Sequence, residues 1–384
     1  MVTVFMIVAV VTLNRGRGSG AIARNQVIAL QRRGHVATLV HAGQGQGDVP
    51  IHEVPISSDL LPAHEYLTGH AGRQQTVSSM DAEEASWFVA DFDASLRSLD
   101  PAPDLIVGHH ANITAIATQH AAEHFGIPYV LFVHGTGIEP RYHGGYAAEI
   151  WSQIEEAMRL AYAIIVTNDY VRDELVKPIV DLPIDRFRII PGGVDLTAYR
   201  PGTGDEVRRR YDLPDSYVIS PGALTELKGP QNVVAASEVF ADLAPPIFLG
   251  DGDLREQLEA ELGDRGRLLG YVPEVDKEAL ISAATLLVAA PEKLEHFGMV
   301  YAEALAAGTV PVAYEGGGVG SIVIPAVGVL TERAPRALGT AVRGLLEERE
   351  RRLPMAQAAR LRAESHFDGH RLGDQLVDWI ETIV

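Results

Sequence analysis

Two carboxylates, Glu295 and Glu303, stand with seven residues between them in PEKLEHFGMVYAEALAAGTVPV, residues 291–312. The pattern predicts a loop, a helix that starts near Gly298 or Met299 and ends at Gly308, and a short buried strand. Glu295 then lies in the loop, and Glu303 about one turn inside the helix. Between them the backbone N–H groups of Phe297 to Tyr301 lack intrahelical acceptors. With the positive end of the helix dipole they form an anion site of the kind that takes phosphate. Carboxylates are acceptors only, so beside a phosphate they suit hydroxyls, such as a ribose diol or a sugar ring. A phosphate cradle flanked by two hydroxyl clamps fits a nucleotide-sugar. The plainer alternative is a surface helix with two solvated acids and an apolar face of Val300, Ala304 and Leu305.

The sequence EHFGMVYAEALAAG resembles the E-x7-E signature of the retaining GT-B glycosyltransferases of family 4. The following PVAYEGGG, residues 311–318, resembles that family's donor-phosphate loop. The resemblance implies an α/β fold, GT-B: two Rossmann-like lobes with parallel sheets, facing across a central cleft. It gives Glu303 the ribose hydroxyls and Glu295 the sugar hydroxyls near O3 and O4. Phe297, Gly298, Met299 and Val300 border the donor, and the amides of Gly298 and Met299 stabilise the leaving diphosphate. The stretch PGALTELKG, residues 221–229, is similar to the family's Gly-Arg-Leu…Lys-Gly segment. Gly222 and Lys228 are in register, but Ala223 stands where the family has a phosphate-binding arginine. Losing a bidentate guanidinium weakens diphosphate binding; Arg15 or Arg17 are candidates to compensate. In GYVP, residues 270–273, the family packs the nucleobase on loop backbone, which places Val272 at the donor. Gly316 to Gly318 are expected to wrap phosphate oxygens with backbone donors.

The elements that must position these residues follow a βαβ rhythm. Val2 to Leu13 reads as a buried strand, and the Gly-rich loop RGRGSG, residues 15–20, precedes a helix closed by Gly34. In the family this loop faces the donor diphosphate, a role that falls to Gly18, Ser19 and Gly20. The spacing is not that of a dinucleotide fingerprint. His134 follows a strand over Pro128 to Val133, at the end where α/β sheets bind ligands. The resemblance places it against the transferring sugar, and His109 and His110 end a neighbouring strand. His52, His64 and His70 make no metal pattern and read as exposed loop histidines. Helices are expected over Ser79 to Leu99, Ala111 to Phe125, Ala147 to Tyr162, Pro354 to His366 and Leu372 to Ile383. In PGGVD, residues 191–195, Gly192 and Gly193 suit a hinge at positive φ.

At 384 residues with 47% apolar content, the chain calls for two domains. We assign 1–190 to an N-terminal acceptor-side lobe, with the helix of 370–384 packing back on it, and 191–369 to a donor-binding lobe. The formal net charge of −19 argues against nucleic acid and anionic membrane partners. There is no cysteine, hence no disulfide or thiolate metal site. Lysine occurs only at 177, 228, 277 and 293. The apolar run at the start lacks a basic segment before it and is short for a membrane span, so the expected location is cytoplasmic.

The expected activity is transfer of a hexose-type sugar from a nucleoside diphosphate, UDP or GDP foremost, to an acceptor hydroxyl with retention. His134, Lys228 and Glu295 carry it, with no cofactor and no metal. The alternatives are a nucleotide-sugar epimerase of similar shape, or a binding protein without transferase activity. Association into a homodimer is left open.

Overall fold

The computed structural model describes residues 6–11, 18–42, 49–58, 60–63 and 73–384. The chain divides into two compact units: Met1–Gly192 with His370–Val384, and Gly193–Gly369. The first unit opens with β1 (Met6–Val11), α1 (Ser19–Arg32), β2 (Val36–His41) and β3 (Ile51–Glu53). A parallel pair, β4 (Leu60–Ala63) and β5 (Arg73–Thr76), precedes α2 (Ala82–Arg97). Then come β6 (Leu105–His109), α3 (Ile113–Phe125), β7 (Tyr129–Val133), α4 (Ala148–Leu160), β8 (Ala163–Val166) and β9 (Phe187–Ile189). The sheet order is β3-β2-β1-β6-β7-β8-β9, with every pairing parallel. The order reverses between β1 and β6, which makes the carboxyl ends of these two strands the place where such sheets open a crevice.

Local sequence explains the main helices of this unit. Asp81 accepts from the Glu84 amide at 2.8 Å while Glu84 reaches back to the Asp81 amide, a capping box that starts α2. Asn112 caps α3 through the Thr114 amide at 2.9 Å, and Gly126, left-handed at φ 68°, ends it.

The second unit contains α5 (Asp205–Arg210), β10 (Val218–Pro221), α6 (Pro230–Phe240), β11 (Pro246–Leu249), α7 (Arg255–Leu262) and β12 (Arg267–Leu268). It continues with α8 (Glu274–Ala283), β13 (Leu286–Ala289), α9 (Met299–Ala307), β14 (Val310–Tyr314), β15 (Val329–Thr331), α10 (Pro335–Glu347) and α11 (Arg349–Arg362). The order is β12-β11-β10-β13-β14-β15, again all parallel. Here the reversal lies between β10 and β13. The last helix, α12 (Gly369–Ile380), belongs to the first unit, where Arg33 bonds Asp378 at 2.6 Å and Glu381 at 2.8 Å, and His35 meets Glu381 at 2.9 Å.

Several expectations need correction. Gly192 and Gly193 do not have positive φ; Val194 instead pairs with Asp368 as an isolated bridge, an extended conformation open to any residue. His52 is not a loose loop histidine: it lies in β3, half-buried, with Nε2 at 2.9 Å from Ser95 Oγ. His64, His70, Arg15 and Arg17 lie outside the described residues. Pro354 does not begin its helix but sits inside α11, which starts at Arg349. Packing of Met355 and Ala359 into the core outweighs the hydrogen bond that proline cannot make.

Candidate active site

The site of the second unit is built on its two central strands. The loop after β10 carries Gly222, Ala223 and Lys228; the loop after β13 carries Lys293 and Glu295. Lys228 Nζ lies 3.2 Å from Glu295 Oε1, with the side chains 27% and 19% exposed. Burial alone would raise the Glu295 pKa. The charge and hydrogen bond of Lys228, with His296 and Lys293 beside it, reverse that and hold the carboxyl below its ordinary value. Burial lowers the Lys293 pKa, against the pull of Glu295. It also pushes His296 down to about 4, so this histidine is neutral at pH 7.

Backbone geometry fixes this pair. Lys228 ends a single 3-10 turn, and Gly229 follows at φ 65°. A Cβ on Gly229 would lie 2.0 Å from the Ala290 carbonyl oxygen, so only glycine lets the two strand-end loops approach. Gly317, at φ 62°, packs on Glu295 in the same way, its missing Cβ 2.3 Å from the Glu295 carbonyl oxygen. The Gly318 amide donates to that carbonyl at 2.7 Å. This corrects the expectation for the glycine run: at least one of its donors holds Glu295 in place instead of a phosphate.

Helix α9 starts after Gly298, left-handed at φ 89°, and ends at Gly308, left-handed at φ 69°. The Tyr301 amide donates to the Gly298 carbonyl at 3.0 Å, so it is not among the open donors of the first turn. The Phe297 side chain is in the core, edge-on to Phe367 at 6.0 Å between centroids, and Val272 is buried too. Both can face a ligand only through backbone. Met299 and Val300 are half-buried.

Glu303, one turn into α9, meets Lys277 of α8 with Nζ 3.2 Å from Oε1, and Lys277 also bonds Glu274 at 2.6 Å. Tyr199, buried beside the same carboxylate, completes the cluster. Arg360 of α11 holds this corner together by donating to the carbonyls of Tyr199 at 2.8 Å and Ala306 at 2.6 Å. Burial, Glu303 and Glu274 all act on the group: burial raises the Glu303 pKa, and the two carboxylates outweigh burial to raise that of Lys277. One ammonium between two carboxylates stays charged, while the more buried acid takes up a proton more readily. Sequence reasoning missed Lys277 and Tyr199. Lysine scarcity was the available signal, since three of the four lysines gather around the two glutamates.

In the first unit, the crevice end of the sheet holds Gly18, Ser19 and Gly20 at the start of α1, His109 and His110 at the end of β6, and His134 just after β7. His134 is 8% exposed and stacks on Phe132, centroids 4.5 Å apart. His109 Nδ1 is 2.9 Å from His134 Nε2, and His110 Nε2 is 2.7 Å from Ser19 Oγ. Ser19 thus engages a histidine directly, whereas Gly18 is exposed and Gly20 buried. Among the described residues no helix is long and apolar enough to cross a membrane, and no group of three side chains is arranged to hold a metal ion.

The model for Glycosyltransferase Family 4 matches residues 16–198, and that for Glycosyl transferases group 1 matches residues 205–362. The alpha-maltose-1-phosphate synthase of Mycolicibacterium smegmatis is 26% identical over 348 residues, covering 79% of this chain and 89% of that protein. A D-inositol 3-phosphate glycosyltransferase of Xylanimonas cellulosilytica is 29% identical over 284 residues, 66% of each chain. The crystal structure of Anabaena HepE in complex with UDP superposes with a TM-score of 0.76 at 17% identity, covering 98% of this chain and 100% of that one. Two matched family models, one on each α/β unit, and a shared fold over nearly the full length establish that the chain belongs to the group 1, family 4 glycosyltransferases of GT-B fold and is itself a glycosyltransferase.

Proposed function

We propose that the protein transfers a hexose-type sugar from a nucleoside diphosphate to an acceptor hydroxyl, with retention of configuration. The observation that carries this is the Lys228–Glu295 pair beside the start of α9, where the second sheet reverses order. Lys228 and the first amides of α9 face the diphosphate and stabilise the charge that grows on it as the bond to sugar C1 breaks. Lys293, close enough to act on Glu295, supplies the second cation where Ala223 replaces the family's arginine. Glu303 accepts from the ribose hydroxyls, and Lys277 and Tyr199 orient its carboxylate. Glu295 accepts from the sugar hydroxyls, and in the first unit His134, at the crevice end of its own sheet, is the candidate contact for a sugar hydroxyl.

Among the described residues, no carboxylate pair in either site is placed as nucleophile and acid. The acceptor oxygen therefore attacks C1 on the face the diphosphate leaves. Its proton passes to the departing phosphate oxygen, so the step balances without a protein base. The UDP bound to HepE and the names of the relatives support a nucleotide-sugar donor and a polyol or sugar acceptor.

The test is incubation with UDP-glucose or GDP-mannose and a panel of hexoses, hexose phosphates and inositol 3-phosphate, read by proton NMR of the anomeric signal. An α-linked product from the α-linked donor is expected, and Lys228→Ala should form it far more slowly. A β-linked product, or equal turnover by the variant, would overturn the mechanism.

A further inference from the structure

We propose that Gln26 and His109 are positioning residues for His134, holding its ring in one orientation and its proton on Nε2. The consequence for turnover rests on the proposed role of His134 as a contact for a sugar hydroxyl. The chain of bonds runs from α1 through the end of β6 to the turn after β7. His109 is fully buried, and burial takes its pKa down to about 3, so it is a neutral imidazole with one N–H. Its Nε2 faces the Gln26 amide oxygen at 3.0 Å, an atom that only accepts. The N–H is therefore on Nε2, and Nδ1 offers a lone pair. That lone pair lies 2.9 Å from His134 Nε2, which must donate. Both the neutral and the protonated forms of His134 then keep a proton on Nε2, and the nitrogen that gains or loses one is Nδ1.

The ring plane is fixed separately. His134 stacks at 11° on Phe132 and at 19° on His109, whose centroid is 5.2 Å away, and His110 closes the third side at 4.8 Å. The backbone under the stack is tied: Thr114 Oγ1 donates to the His109 carbonyl at 2.7 Å, and the His110 amide to the Phe132 carbonyl at 2.8 Å. Gln26 is 5% exposed and Gly18 to Gly20 lie at the start of the same helix, so α1 both flanks the crevice and carries the far end of the chain. Which nitrogen of a histidine faces outward is commonly set by the hydrogen bond at the other.

The experiment is nitrogen-15 NMR of the intact protein labelled on its histidine rings, at mildly alkaline pH without substrate. The His134 signals are those missing from His134→Phe. The expected spectrum shows single Nε2–H tautomers for His109 and His134. In Gln26→Leu the His134 signals should move toward the average of two tautomers, and kcat should fall roughly tenfold or more with donor KM nearly unchanged. Gln26→Glu, which keeps an acceptor, should restore both. A proton on His134 Nδ1 in the wild type, or an unchanged spectrum in Gln26→Leu, would overturn the proposal. If Gln26→Leu does not fold, the wild-type and Gln26→Glu spectra still decide. Since the spectrum needs no substrate, a tautomer disturbed in Gln26→Leu with no effect on transfer would count against the sugar role of His134 alone.

Discussion

Replacing Lys228 with methionine leaves Glu295 in a mostly buried position without its principal cation. At 3.2 Å and an effective dielectric constant of ~20, the attraction between the two charges is about 5 kcal/mol. Desolvation of both groups cancels more than half of that, leaving a net coupling of roughly 1–2 kcal/mol. Lys228→Met should therefore destabilise the second unit by about 1–3 kcal/mol at pH 7. Lys228→Met combined with Glu295→Gln should cost less than the sum of the single changes. The Glu295 pKa is depressed in the folded protein, so its contribution is complete above the unfolded value of ~4.3 and is lost as pH falls through the lower folded value. The assay is urea unfolding with two probes. All three tryptophans, Trp87, Trp151 and Trp379, lie in the first unit, so their fluorescence follows that unit and far-UV circular dichroism adds the second. Strict additivity of the two substitutions at pH 7, or a coupling that grows as the pH falls, would refute the electrostatic account of the pair.

Two further outcomes follow from the same loops. Gly229→Ala puts a Cβ against the Ala290 carbonyl at a left-handed position, and should lower stability by more than about 1 kcal/mol in thermal unfolding while weakening nucleotide binding; an unchanged melting temperature would contradict the close approach. Ala223→Arg restores the family's guanidinium and should tighten UDP or GDP binding about tenfold by calorimetry, the value of one charge-assisted hydrogen bond. No gain would mean that Lys293 and Lys228 already neutralise the diphosphate.

Helix α9 was legible because glycine marks both of its ends and the glutamate spacing lies within one local stretch. Lys228 was legible from its register beside Lys-Gly. The partners of the second glutamate were not. Lys277 lies 26 residues from Glu303 and Tyr199 lies on another segment, and only the stacking of α8 and α11 on α9 brings them together. Nor does a run of three glycines reveal that the third donates to the Glu295 carbonyl. The histidine chain was half visible: strand ends located His109, His110 and His134, but Gln26, in the middle of a helix, carries no mark of its role. Pro354 shows the opposite failure, where a strong local signal for a helix start gives way to packing around it.

Whether the glutamates at 295 and 303 frame a nucleoside diphosphate-sugar site is open to direct measurement. Calorimetric titration of the wild type and Glu303→Ala with UDP, GDP, ADP and dTDP and their sugar conjugates tests it most directly. One nucleotide should bind the wild type, and Glu303→Ala should bind it about tenfold to hundredfold more weakly, the loss of one or two hydrogen bonds to a charged group. Binding of equal strength by the variant, or no binding of any of these ligands to the wild type, would contradict it.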